Sequence, residues 1–169
     1  MPGACAITLA AACSGSPAPP EPKASATLTV TSSAFTDGAP IPTDYTCAGS
    51  GHRPPLHWSI PQTTPAAYAI VVADPDAPSG TYYHWLVVNL PPSSTDATDP
   101  LPPGAKQLNN SSGNPSWTPP CPPSGTHHYH FTVYALAAPI DATAMDDAFT
   151  AINKATTATG TLTGTVAHT

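Results

Sequence analysis

The sequence predicts a single, mostly β domain with one or two short helices near its C-terminal end. Three observations carry that prediction. Apolar, β-branched runs of strand length stand at residues 68–73 (YAIVVA), 85–90 (WLVVNL) and 129–137 (YHFTVYALA), bounded by Pro, Gly or polar turn residues. Apolar and polar residues alternate over 27–32 and again over 160–166. The one good helical pattern lies at 143–155, where Ala144, Ala148, Ile152 and Ala155 share a side and Thr143 or Asp141 can cap the first turn.

Each segment has its own signal. Residues 4–12 are apolar but too short to cross a bilayer, and their length suits a signal-peptide core. Ala10, Ala11 and Ala12 before Cys13 resemble a bacterial lipobox, although Leu9 stands one place further from the Cys than usual and no Lys or Arg precedes the core. The expected organisation is a signal peptide over 1–13 with lipobox-like Cys13, a Pro/Ala/Ser-rich tether over 14–26, and a folded domain over 27–169. A disordered Ala-rich terminus is the plainer reading of 1–26. Residues 35–42 read as turns and 56–60 as a short strand. Residues 91–114 carry no apolar period and are expected to form a long surface excursion.

The length of 169 residues suits one domain with a real core. Lys23, Arg53, Lys106 and Lys154 are the only Lys or Arg against a formal net charge of -6, which argues against a nucleic-acid partner because phosphate neutralisation needs clustered cations.

Between the first two apolar runs lies 74–84 (DPDAPSGTYYH). Pro75 and Pro78 fix φ and lack an N–H, so they end the strand ladder and narrow the loop. Asp74 and Asp76 therefore sit at a strand end, and His84 reopens the sheet. Such a group at the edge of a rigid scaffold makes a candidate site, although a turn of this composition is more often only a turn. A second stretch, 119–136 (PPCPPSGTHHYHFTVYAL), is a proline-stiffened loop running into a strand, with His127 where the strand begins.

DPDAP, a His before an apolar strand ending in Asn-Leu-Pro, and PCPPSGTHHYHFTVYAL together closely resemble the phosphatidylethanolamine-binding protein family, in the bacterial branch related to Raf kinase inhibitor proteins. YTCAG at 45–49, PPLHWS at 54–59 and LTGT at 162–165 also fit, so the resemblance covers 27–165 with several separated motifs in the right order. It implies a large antiparallel, Greek-key-like sheet beside a smaller one. It also implies an anion pocket on Asp74, His84, Pro122, His127 and Tyr129, with Pro78 closing one wall and Asp76 shaping the loop. No Arg or Lys lies in either motif, so the imidazoles must supply hydrogen bonds and any positive charge, with Asp74 orienting one of them and favouring its charged form. Tyr129 adds a neutral O–H. Core histidines satisfied by backbone are the structural alternative. One departure bears on the rim: Pro119 stands where bacterial relatives commonly carry Gly, and Pro can neither donate an N–H nor adopt glycine's conformations.

The implied function is binding of a small anion or phospholipid head group, phosphate or phosphorylethanolamine, without a cofactor, in a module that inhibits or modulates a protease or kinase. The competing reading is a hydrolase using Asp74, His84 and His127 for acid-base chemistry, with Ser124 or Ser79 as nucleophile. No Gly-x-Ser-x-Gly elbow, glycine-rich phosphate loop or paired glutamates supports it. His128 and His130 share a strand face and could chelate zinc with a third ligand, but nothing in the sequence marks one, and no metal is expected. Residues 119–123 could serve an aromatic-groove module, a weaker reading because the following strand anchors them.

Lipidation of Cys13 would make the membrane a partner and hold the chain on the outer side of the cytoplasmic membrane. Cys5 falls in the expected signal and Cys13 at its end, leaving Cys47 and Cys121. By resemblance both lie near the pocket mouth, and an oxidising compartment would let them bridge. Two unpaired thiols are the alternative.

Overall fold

The structure is a computed structural model, and it describes residues 17–97 and 99–169. The expected signal peptide, Cys13 and the first residues of the tether lie outside the described residues. In chain order the elements are β1 (Ala26–Thr27), β2 (Val30–Thr31), a 3₁₀ turn (Thr43–Tyr45), β3 (His57–Trp58), β4 (Ala67–Asp74), β5 (Tyr82–Leu90), β6 (Lys106–Leu108), β7 (Thr126–Leu136), α1 (Met145–Ala155) and β8 (Thr156–Ala167). A six-stranded sheet runs β1-β8-β7-β4-β5-β6, and β2 pairs with β3 in a small second sheet. The large sheet is mixed rather than wholly antiparallel, because β1 lies parallel to β8.

β4 reads as an unbroken apolar run because it lies between β5 and β7 and both of its faces are covered. On one face Tyr68, Ile70 and Val72 pack with Trp85, Phe131, Val133 and, from the small sheet, Val30 and Trp58. On the other, Ala69, Val71 and Ala73 meet Tyr83, Tyr134 and the α1 residues Phe149 and Ile152. Full burial of each Val or Ile stabilises the fold by about 1.5–3 kcal/mol.

The strand expected over 27–32 splits in two because its partners change. Leu28 still donates to Thr159 of β8, at 2.9 Å, whereas Val30 and Thr31 pair with Trp58 and His57 of β3. The excursion after β5 holds a short strand, β6, whose Leu108 is buried against the helix-side core. Three residues are too few for a period to be seen. Neither Thr143 nor Asp141 caps α1. Ala144 takes the N-cap position without a side-chain hydrogen bond, and Asp146 and Asp147 place negative charge in the first turn, where the helix dipole favours it. Asn89 adopts a left-handed φ of 60° and exchanges two side-chain hydrogen bonds with the Ile140 backbone, at 2.7 and 2.8 Å, which fixes the approach to α1.

Two carbonyls of the expected tether are bound by side chains of the sheet. The Tyr83 hydroxyl donates to the Pro17 carbonyl and the Tyr134 hydroxyl to the Pro20 carbonyl. Prolines suit this role, since their own missing N–H leaves no donor to satisfy.

β8 passes so close to Leu28 that a Cβ at Gly160 would stand 2.1 Å from the Leu28 carbonyl oxygen. Gly160→Ala is therefore expected to destabilise the fold by about 1–3 kcal/mol, the usual cost of overpacking. Urea unfolding measures it, and an unchanged midpoint would show that the contact is slack.

Candidate functional site

β4 ends at Asp74, and the proline turn reverses the chain into β5, which brings Asp74 opposite Tyr82. One Asp74 oxygen accepts the Asp76 backbone N–H at 2.9 Å, tightening the turn. The other lies 2.7 Å from Nδ1 of His127, which β7 supplies from the neighbouring strand. Both side chains are buried, at 5% and 7% exposure, so the pair is shielded from water. A carboxylate only accepts, hence His127 Nδ1 carries the proton.

His84, two residues into β5, is held the same way by a different group. Its Nδ1 lies 2.8 Å from the Thr118 carbonyl, and Thr118 N–H donates back to the His84 carbonyl at 3.0 Å. Asn110 fixes that loop: its side-chain amide reaches the Ser116 carbonyl and the Thr118 hydroxyl, each at 2.8 Å. The His84 Nε2 and the Tyr129 hydroxyl are buried without a hydrogen-bond partner among the described residues. The two rings sit edge to face, with centroids 5.2 Å apart.

These groups open into one cavity of about 280 Å³, lined by Asp74, Ala77, Pro78, Tyr82, His84, Thr118, Pro119, Cys121, Pro123, His127 and Tyr129. Of the residues expected to form the pocket, Asp74, His84, His127, Tyr129 and Pro78 meet here. Pro122 does not. From the Pro-rich loop, Pro119, Cys121 and Pro123 wall the cavity. Pro122 lines a neighbouring groove, and its carbonyl accepts from His168 Nδ1 at 2.9 Å. Asp76 also stays outside, where His128 donates to it from backbone N–H and from Nδ1, at 2.8 and 2.7 Å. Those bonds hold the Asp76 carboxyl below the usual carboxylate range. Neither Ser79 nor Ser124 lines the cavity. Thr118, Asn110 and Tyr82 belong to the site and carried no local signal, since Thr118 and Asn110 lie in or beside the stretch without periodicity.

Cys47 and Cys121 form a disulfide with Cα atoms 5.4 Å apart, and Cys47 N–H donates to the Pro120 carbonyl at 3.0 Å. Pro119 fills the rim at the position of the expected departure: Gly51, at φ 69°, packs under its ring, and a Cβ there would come within 2.9 Å of Pro119 Cγ.

Burial sets the charge of the cavity. It holds His84 below the ordinary imidazole range, an effect that the Thr118 carbonyl and the Asp74 carboxylate only partly offset. Of the two imidazoles expected to supply any positive charge, His84 is thus disfavoured in its charged form, and its Nε2 presents a lone pair when the ring is neutral. Burial, with Asp74 and Asp76 nearby, raises the Tyr129 phenol and keeps it an O–H donor.

A sequence profile described as phosphatidylethanolamine-binding protein matches residues 31–167. The chain belongs to the phosphatidylethanolamine-binding protein family. A Mycobacterium tuberculosis protein of the UPF0098 group, Rv1910c, is 46% identical over 141 residues, covering 80% of this chain and 68% of its own. A protein from the same organism named lipoprotein LppC is 46% identical over 110 residues, covering 63% of this chain and 54% of its own. Among solved structures, the phosphatidylethanolamine-binding protein homologue CT736 of Chlamydia trachomatis superposes with a TM-score of 0.78 at 33% identity, covering 86% of this chain and 100% of its own. YbcL of E. coli, described as a new member of the mammalian family, gives a TM-score of 0.77 at 32% identity over 85% of this chain. The mixed sheet, the small second sheet and the helix near the C-terminus are the phosphatidylethanolamine-binding protein fold.

His84 makes stability depend on pH with a definite sign. Its folded pKa lies below the unfolded value, so the unfolded chain binds the proton first. Its contribution is complete above the unfolded value of ~6.5 and is lost as pH falls through the folded pKa. Urea unfolding between pH 8 and pH 5 should show a decline that is shallower in His84→Gln; equal slopes in the two proteins would remove His84 as its source. For the disulfide, a loop of 74 residues predicts that Cys47→Ala with Cys121→Ala costs about 4 kcal/mol by chain entropy. Equal unfolding midpoints for the double variant and the oxidised protein would contradict that.

Proposed function

We propose that this member of the family is a receptor for a small oxyanion, phosphate or a phosphorylated head group such as phosphorylethanolamine, held between His84, His127 and Tyr129. The single observation that carries the reading is the pair of buried, unpartnered polar atoms, His84 Nε2 and Tyr129 Oη, at a cavity large enough for a phosphate group. Buried polar atoms without partners are rare in folded proteins, and a ligand that completes them recovers their lost hydrogen bonds. The rigid setting supports binding over turnover: Asp74 and Thr118 fix both rings, and no serine stands among the lining residues to act as a nucleophile.

The relative named as a lipoprotein supports export with a lipid anchor on Cys13, on the outer side of the cytoplasmic membrane. Palmitate labelling of the full chain that disappears in Cys13→Ala is the expected result. Modulation of a protease or kinase rests on the family resemblance alone.

Titration calorimetry with phosphate and phosphorylethanolamine, run beside a screen for esterase and phosphatase turnover, tests the central reading. Saturable binding without turnover is expected. His127→Ala should lose phosphate binding while keeping the wild-type circular dichroism. Turnover that depends on His127 would replace the receptor with a hydrolase.

A further inference from the structure

The hydrogen-bonding valences of the cavity say more than that it takes an anion. The Nδ1 atoms of both imidazoles are committed as donors, His84 to the Thr118 carbonyl at 2.8 Å and His127 to Asp74 at 2.7 Å. What either ring offers a ligand is therefore decided at Nε2. A neutral ring with its proton on Nδ1 has a bare lone pair there. At His84 that atom is buried without a partner among the described residues, as is the Tyr129 hydroxyl, and the two rings lie edge to face with centroids 5.2 Å apart. The groups facing His84 are Asp74 from the end of β4, Tyr82 on its own strand, His127 and Tyr129 from β7, and Trp117 and Thr118 from the loop. Asp74 is the one carboxylate among them, and none of the described lining residues is Lys or Arg. Nothing around the ring compensates a second proton on it except the carboxylate already engaged by His127.

A lone pair and an O–H side by side form a mixed site, which needs one donor and one acceptor from its ligand. The phosphodiester group itself has acceptors only. Opposite His84 it would set lone pair against lone pair, unless the buried ring took up a proton. A phosphomonoester differs because its second pKa is about 6, so near neutral pH it carries a P–O–H at little cost. Bound as the monoanion, it donates that O–H to His84 Nε2 and accepts from Tyr129. The balance is simple: above the ligand's own pKa, the dianion and one proton from solvent enter together, and no covalent bond changes.

We infer that the cavity selects phosphomonoesters, taken up as the protonated monoanion, over phosphodiesters. The inference deepens the oxyanion-receptor reading and rests on it. The recognised chemistry is shared by inorganic phosphate, phosphorylethanolamine and a lipid monoester such as phosphatidic acid. It excludes diesters that bring no hydrogen-bond donor of their own.

The test is calorimetric titration of the full chain between pH 5.5 and pH 8, in buffers of differing ionisation enthalpy, with methyl phosphate and with its diester dimethyl phosphate, neither of which has an ammonium or hydroxyl donor. At neutral pH the monoester should bind at least about tenfold tighter, the loss expected when one buried acceptor is left facing another. Uptake should approach one proton per monoester as pH rises above the ligand's pKa. Nitrogen chemical shifts of His84 should keep Nε2 unprotonated in the complex. Vesicles separate the sources: sedimentation with phosphatidic acid but not with phosphatidylcholine, a diester without a donor, identifies a lipid monoester, whereas binding only of the free monoester identifies a soluble one, and either supports the selection. Diester binding as tight as monoester binding, monoester binding without proton uptake, or a doubly protonated His84 in the complex would overturn the selection and leave the receptor reading standing. Binding of neither ligand class would overturn both.

Discussion

Asp74 closes a strand whose every residue is buried, and a carboxylate on a side chain at 5% exposure persists there only if its lone pairs are met. His127 meets one oxygen and the Asp76 N–H the other. That arrangement ties three pieces of chain together: the end of β4, the proline turn and the start of β7. It also sets the tautomer of His127 and so determines which ring nitrogen is left for a ligand. Replacing Asp74 by a neutral group would free His127 to turn, and the cavity would lose its defined donors as well as its charge.

The rim is rigid through several bonds that do not involve a ligand. Asn110 gathers Ser116 and Thr118, Thr118 locks His84, Trp117 Nε1 donates to the Gly51 carbonyl at 3.1 Å, and the disulfide joins the Pro-rich loop to the segment around Cys47. Prolines at 119, 120, 122 and 123 remove most of the loop's remaining freedom. A wall assembled in this way has little to lose on binding, which is the main means by which a small cavity gains affinity.

The opposite face of the sheet is braced as well. Tyr83, between the two cavity residues Tyr82 and His84, turns to the helix side, stacks on Phe149 with centroids 4.9 Å apart and donates to Pro17. β5 is thus held from behind at the position where it presents His84. From behind the sheet, the Pro-rich segment that composition marks as a spacer accepts from Tyr83 at the Pro17 carbonyl and from Tyr134 at the Pro20 carbonyl.

The sequence by itself determined the class of the fold and most of the cavity. Strand periodicity is a local property, so β4, β5, β7 and β8 could be read from apolar runs, and the proline-punctuated turns marked Asp74, His84, His127 and Tyr129 through their family motifs. The tertiary structure alone decided the rest. The division of residues 27–32 between two sheets, the parallel β1–β8 pair and the three-residue β6 depend on partners far along the chain. So does the facing of Pro122 away from the cavity, together with the roles of Thr118 and Asn110. The charge on His84 is the clearest case. The family motifs contain no Arg or Lys and so left any positive charge to the imidazoles, but Thr118, 34 residues away, holds the His84 Nδ1 and burial disfavours the second proton. A side chain's protonation state is fixed by solvent exclusion and by neighbours that only folding brings close, and no local pattern encodes either.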